Sequence, residues 1–520
     1  MAVTERTIVV DEAGLAELRT ARADLLVEAE AGPDRFVLAT GPFKTYEREL
    51  DVQAATGVAS EGPPQYAVTE RTTWQLALPV WWIVYWLPAR YAITHRLGPN
   101  QQPWWAPPSR IDRQTAHVLG LLCTLAVFSG YLGSILSQTI TFVTEEFGND
   151  RSDQGVALAT VRFGIPIAVG LLAAADRHGR RRLLLLTGVA ASLVTATAVL
   201  APNLVALTIS QAIARAITTA LGLLIGIVAA EELPAGSRAY GVSVLALTAA
   251  LGSGGTVWLL PLADIDARLW RVVYLVPLLF VPAIIALVRR LPESRRFARS
   301  EDRPTIENFR HLWTEQRGRL ILLALGAFLF LFFAAPASQF QNEFLRDERS
   351  FSASRITLFT ICTSTPAGLG VFFGGRLADR RGRRFVGIAG VVGSAGFGVW
   401  SYFSTGPALW LMTLLAIVIG GMTAPALGVY LPELFSTRQR ATANGLITTV
   451  GVVGSASGLF VVGWLADESR WNAFGPAFAV AAVAPMLYAL LIWRRYPETA
   501  RRELEDLNPV DRPGARPGDG

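Results

Sequence analysis

Two arginines stand where arginine is costly. Arg162 falls near the middle of one long apolar run and Arg215 near the middle of another. A guanidinium at the centre of a bilayer costs about 2.5–3.5 kcal/mol on insertion scales, so each must face a polar cavity or a partner. No carboxylate lies in the middle of any run, and Ser129-Gly130-Tyr131 occupies the middle of the first. Two central cations without a central anion favour an anionic solute, a monocarboxylate or similar acid. The plainer alternative is a structural arginine bonded to backbone carbonyls or to a hydroxyl such as that of Thr218. Uncharged groups offer further contacts: Tyr131 and Gln138 in the first run, Gln211 in the fourth, Gln339 in the seventh and Asn444 in the eleventh. Any one of them is more often a hydrogen bond between helices than a ligand contact.

Nothing in the chain suggests bond-making chemistry. His95, His117, His178 and His311 are scattered, and there is no HExxH motif, nucleophile triad or metal-spaced cluster. Cys123 and Cys362 lie inside apolar runs and read as small packing residues. No Walker A loop is present, so a solute or proton gradient must supply the energy. No enzyme activity, cofactor or metal is expected. The net charge of +6 comes almost wholly from arginine, with Lys44 the single lysine. These arginines form short clusters between apolar runs, which anchor loops and do not suggest nucleic acid.

The elements that must hold these residues are membrane helices. The chain has 520 residues, 52% of them hydrophobic and 17% charged. Leu183–Leu200, Leu320–Ala335 and Ala477–Trp493 are uninterrupted apolar runs. About 18–20 apolar residues cross the hydrocarbon core as a helix. These runs lack the alternation of a barrel strand. About twelve spans are expected after residue 115. Placing the N-terminus inside puts the arginine-rich segments Arg177–Arg182, Arg289–Arg319, Arg376–Arg384, Arg438–Arg440 and Arg494–Arg502 on one side. The positive-inside rule then makes both termini cytoplasmic. The chain should be a multi-pass protein of the plasma membrane.

The halves repeat. Asp-Arg-His-Gly-Arg-Arg-Arg at Asp176–Arg182 returns as Asp-Arg-Arg-Gly-Arg-Arg at Asp379–Arg384. Leu262–Asp264 returns as Leu465–Asp467, Pro292-Glu293 as Pro497-Glu498, and Glu232 as Glu433. Each pair is about 200 residues apart, a single register. Parallel repeats place the solute site between the halves at mid-depth. The expected units are a soluble α/β element at 1–70, a Trp-rich interfacial segment at 71–115, six-helix halves at 116–291 and 320–496, a linker at 292–319 and a tail at 497–520. Within the first unit, Thr7–Val10 reads as a strand, Asp11 caps a helix through about Glu30, and Arg35–Thr40 with Lys44–Val52 forms a hairpin. Trp74–Tyr91 is broken by Pro79 and Pro88 and suits an interfacial helix better than a span.

Gly375–Arg384, Gly-Arg-Leu-Ala-Asp-Arg-Arg-Gly-Arg-Arg, resembles the signature loop of the major facilitator superfamily, and Asp176–Arg182 is its first-half copy. Leu291–Phe297 and Pro497–Glu505 are similar to sugar-porter motifs, and Pro432–Arg440 to those of sugar porters and metabolite:proton symporters. The resemblance covers about residues 115–505. It implies an all-α membrane fold of twelve helices in two pseudo-symmetric halves, here with the N-terminal α/β extension. It implies secondary active transport of a small solute by rocker-switch alternating access, possible proton coupling, and a monomer in the lipid bilayer. It also implies a conformational gate built from Asp176, Arg177, Gly179, Arg180, Glu232, Arg238 and Glu293 in the first half. The second-half counterparts are Gly375, Asp379, Arg380, Gly382, Arg383, Glu433, Arg440 and Glu498. The seventh span lacks the glutamine-rich pattern of hexose carriers, which argues against a hexose. Drug or metabolite efflux, and a non-transporting sensor on the same fold, are the alternatives.

Overall fold

The structure is a computed structural model and describes residues 1–498 apart from 55–63, 99–100, 104, 108, 165–167, 169–179, 235–236, 293–305, 429, 431–433, 436–439 and 468. Among the described residues, 11 helices are long and apolar enough to cross a membrane. In the first half the helices are α3 (Arg113–Phe147), α4 (Arg151–Arg162), α5 (Arg180–Ala196), α6 (Leu204–Glu232), α7 (Arg238–Leu259) and α8 (Trp270–Arg289). The second expected span begins as α4, and most of its remainder lies outside the described residues.

The second half opens with α9 (Ile306–Gln339), which carries the seventh span, and a short α10 (Gln341–Asp347). The eighth span is split into α11 (Ala353–Ser364) and α12 (Ala367–Arg381). Pro366 sits at the break, because proline cannot supply the backbone N–H that would continue the ladder. α13 (Arg383–Phe403) is the ninth span. The tenth is divided into α14 (Gly406–Gly421) and α15 (Thr423–Leu427), with Pro425 in the second piece. α16 (Arg440–Ala466) is the eleventh span, and α17 (Phe474–Ala481) with α18 (Val483–Arg495) makes the twelfth. Gly421 also packs tightly, since a Cβ there would lie 2.8 Å from the Ala367 carbonyl oxygen. Bending and close packing therefore occur in the same helices.

The sequence repeat reappears as a packing repeat. In the first half, α3 crosses α7 at Gly130 and Gly252, where a Cβ would come within 1.9 Å of the Ala249 and Val127 carbonyl oxygens respectively. In the second half, α9 crosses α16 at Gly458, where a Cβ would come within 1.9 Å of the Phe332 carbonyl oxygen. Only glycine lets the backbones approach this closely.

The N-terminal element is larger than the sequence suggests. Five antiparallel strands, β1 (Ala2–Val10), β2 (Val27–Gly32), β3 (Arg35–Thr40), β4 (Phe43–Ala54) and β5 (Tyr66–Leu76), form a sheet in the order β1-β5-β4-β3-β2. Asp11 does cap a helix, accepting from the Gly14 N–H at 2.8 Å. That helix, α1 (Glu12–Leu18), stops well short of Glu30. Arg48 ends it: buried in the sheet, it donates to the Leu18 carbonyl at 2.9 Å and pairs with Glu28 at 2.7 Å. Glu28 is thereby held in β2, and the helical register cannot continue. The expected hairpin is present as β3 and β4. The sheet runs through Leu76, past the expected limit at residue 70, because Trp74 is a core residue whose indole donates to Thr4 at 3.0 Å.

The segment expected to be an interfacial helix forms α2 (Trp82–Thr94), which starts only after Pro79. It leaves Trp82, Ile83, Val84, Leu87 and Tyr91 exposed. Arg22 donates to the Ala92 and Ile93 carbonyls at its C-terminus, both at 2.7 Å, and so ties it to the sheet. Trp81 donates to Thr124 of α3 at 3.1 Å, which places α2 beside the first span.

Candidate functional site

The spacing of Gln211 and Arg215 puts both on one face of α6, and Leu158 and Arg162 repeat that spacing on α4. These faces meet α3 around a small cavity of about 40 Å³. Arg162, Arg215, Gln211 and Gln339 all line it, together with Gly133 and Ser137 of α3. Four of the seven expected binding residues therefore converge, from the second, fourth and seventh spans. A cavity of this size has room for about one or two waters and is too small for an organic solute in this state.

Arg215 donates to the Gly133 carbonyl oxygen. The plainer alternative thus holds in part, through a carbonyl; among the described residues the Thr218 hydroxyl has no hydrogen-bond partner. Among the described residues, no carboxylate lies within 4.0 Å of either arginine's nitrogens. Arg162 is the last residue of α4, where the helix C-terminus favours a cation.

The other three expected residues lie elsewhere. Tyr131 is buried and donates to the Val273 carbonyl of α8 at 2.8 Å, which makes it a packing bond. Gln138 accepts from Asn342 at 3.0 Å, across the two halves. Asn444 is exposed near the start of α16 and outside the cavity lining. Gly133 and Ser137 were missed. Their spacing of four, on the helix stripe that includes Gly130, was the available signal. A larger groove of about 920 Å³ runs between α7 and α11. Its span-derived lining is uncharged but mixed: the expected residue Gln138, with Thr248, Ser253, Thr360, Ser364 and Thr365, stands among apolar side chains, and Leu247 and Trp258 there are exposed.

The two halves meet at the end of the bundle opposite the arginine-rich turns. Arg151 of α4 donates to the Ala466 carbonyl at 2.9 Å and pairs with Asp347 at 2.8 Å. Asp264 accepts from the Ala353 and Ser354 N–H groups at 2.6 and 2.8 Å, capping α11 across the interface. Arg346 pairs with Glu145 at 3.1 Å. Gly155 and Gly463 face each other where α4 crosses α16. This face is closed.

At the other end, Glu498 accepts from the Arg383 and Arg384 N–H groups at 2.9 and 3.2 Å. It caps α13 and locks the signature turn at Gly382, whose φ is +98°. Arg180 pairs with Glu231, the neighbour of the expected Glu232. Arg380 is exposed. Asp176, Arg177, Gly179, Glu293 and Glu433 lie outside the described residues, and the backbones of Arg238, Gly375, Asp379 and Arg440 are helical.

Duplicated apolar bundles around a charged cavity define a multi-pass membrane transporter. The sequence profile of the Major Facilitator Superfamily matches residues 122–344 and 323–513, and the chain belongs to that family. It is 26% identical over 410 residues to the cis,cis-muconate transport protein of Acinetobacter baylyi, covering 73% of this chain and 96% of that protein. The inward open conformation of the xylose transporter XylE from E. coli superposes with a TM-score of 0.62 at 18% identity, over 76% of this chain and 99% of XylE. The nucleoside transporter NupG superposes with a TM-score of 0.63 at 12% identity, over 73% of this chain and all of NupG. The chain is a transporter of small solutes and not an enzyme.

Proposed function

We propose that this protein is a secondary transporter of a small organic acid, with Arg162 and Arg215 as the binding charges. The observation that carries this reading is the convergence of both guanidiniums on one cavity without a carboxylate among the described residues. An uncompensated pair of cations in a low-dielectric site is completed by an anion, and a carboxylate accepts two parallel hydrogen bonds from a guanidinium. The relative named for transport of muconate, a dicarboxylate, supports the same solute class. Gln211 and Gln339 supply neutral donors beside the charges.

The cavity must widen to admit a solute, which rocker-switch motion of the halves provides. With the arginine-rich turns in the cytoplasm, the closed face is external and the structure is inward-facing. Both termini are then cytoplasmic, and the protein works in the plasma membrane. The signature turns, with Arg180–Glu231 and Glu498 at Gly382, act as the inner gate.

The test is uptake and counterflow in proteoliposomes with labelled muconate, benzoate, a neutral sugar and a cationic drug. Organic acids should exchange and compete with one another. Transport of the sugar or the drug, without competition from acids, overturns the reading.

A further inference from the structure

Glu343 is a buried carboxyl that the arginine site does not use. It lies on α10, beyond the end of the seventh span, and is 9% exposed. Thr141 of α3 and Gln154 of α4 face it from the other half, at 3% and 0% exposure. Glu343 Oε2, Thr141 Oγ1 and both Gln154 side-chain atoms make no satisfactory hydrogen bond. Thr141 and Gln154 thus approach the Glu343 carboxyl on the closed face, but among the described residues these four polar atoms lack a well-formed hydrogen bond.

The surrounding charges are already engaged. From α4, Arg151 is held by Asp347 and the Ala466 carbonyl, and Asp153 accepts from Asn149. From α3, Glu145 pairs with Arg346 and Glu146 with Arg271. Asp264 caps α11, whose Arg355 stacks on Phe351 at 3.9 Å. Glu348 accepts from the Phe474 N–H. The α9 span contributes no titratable group at this end. Among the described residues the cation that acts on Glu343 is Arg151, which is already paired with Asp347, and Asp347 on the same helix adds repulsion.

The orphaned atoms decide which form fits. A carboxylate only accepts, so it leaves the Gln154 carbonyl oxygen needing another donor. A carboxylic acid donates to that oxygen while its own carbonyl accepts from the Gln154 amide, which satisfies both groups reciprocally. We propose that Glu343 with Gln154 and Thr141 is a proton-binding site, occupied when the halves close over it and emptied when this face opens to water. The proton enters from the compartment this face opens to and remains on Glu343 while the face is shut.

Burial pushes the Glu343 carboxyl up to about 7, with the Thr141 and Gln154 contacts and Arg151 opposing and Asp347 reinforcing it. Opening the face returns it to the ordinary carboxylate range. The sign follows: protonation favours the closed face, and the closed form loses this advantage as pH rises through 7. Between pH 8 and pH 5.5 the closed:open ratio should rise by about thirty-fold.

This inference rests on the alternating-access reading, and its test separates the two. Nitroxide labels at Ile265→Cys and Trp471→Cys, one in each half on the closed face, report its closure without any solute, in a background with Cys123 and Cys362 replaced by alanine. The short-distance population should grow as pH falls below about 7 and continue to grow down to pH 5.5. It should be insensitive to pH in Glu343→Gln and remain sensitive in Glu343→Asp. A wild-type protein without this pH response, or a Glu343→Gln variant that retains it, overturns the proposal. In proteoliposomes, Glu343→Gln should keep solute counterflow and lose accumulation driven by a pH gradient. Retained gradient-driven accumulation also overturns the proton site. Absence of counterflow in the wild type would count instead against transport of the acids tested.

Discussion

Replacing Gly155 by alanine should open the closed face. A Cβ at this position lies 2.8 Å from the Leu459 carbonyl oxygen and 3.2 Å from the Gly463 Cα, both backbone atoms of the other half. Ordinary contact starts near 3.4 Å, so α4 and α16 must separate by about half an ångström. Overpacking of this kind costs about 1–3 kcal/mol. Closed and open states differ in this contact, whereas the helix propensity gained by replacing glycine is the same in both and cancels. The closed:open ratio should therefore fall by about 5- to 150-fold, since each 1.4 kcal/mol is a factor of ten. Paired labels at Ile265→Cys and Trp471→Cys read this ratio as the share of the short distance. Gly226→Ala is the control, because no atom lies within 4 Å of a Cβ there. An unchanged distance distribution in Gly155→Ala would refute the argument that this glycine contact is specific to the closed state.

Four further outcomes are expected. Arg215→Ala should reduce acid uptake by at least tenfold in proteoliposomes while Arg215→Lys keeps part of it, as a charge contact of about 1.5–3 kcal/mol requires; unchanged affinity and rate would remove Arg215 from the site. Glu498→Ala should lose the cap on α13, worth about 1 kcal/mol, and shift the inner-gate equilibrium by about fivefold, read from labels on that face. Arg22→Ala should unseat the sheet from α2 at a cost of about 3–5 kcal/mol, since it leaves Asp24 and two helix-end carbonyls buried without their cation. Limited proteolysis before residue 77 measures this, and flux should persist if the sheet has no part in transport. The sheet should also loosen in acid: burial works against the Glu28 carboxylate, but Arg48 and Tyr46 hold it below its ordinary range. Its contribution is present above the ordinary carboxylate pKa and is lost as pH falls below it. Glu28→Gln should abolish this acid sensitivity; an unchanged proteolysis profile at low pH would refute it.

The chain's own order of residues determined its environment and its plan. Apolar length specifies membrane helices, and the duplicated signature turn and matching Leu-Ala-Asp segments specify two halves. Asp11 was legible as a cap because capping involves only neighbours in the chain. Tertiary structure decided everything that required two distant segments to meet. The α1 helix ends at Leu18 because Arg48, 30 residues away, binds the Leu18 carbonyl. Tyr131 and Gln138 look like ligand contacts until α8 and α10 arrive to bond them. Glu343 stands just beyond the end of the seventh span, and only the packing of α3 and α4 against it removes its water. Periodicity is a local property that survives in a sequence. Desolvation and pairing depend on which faces touch, and in this protein the decisive faces belong to opposite halves.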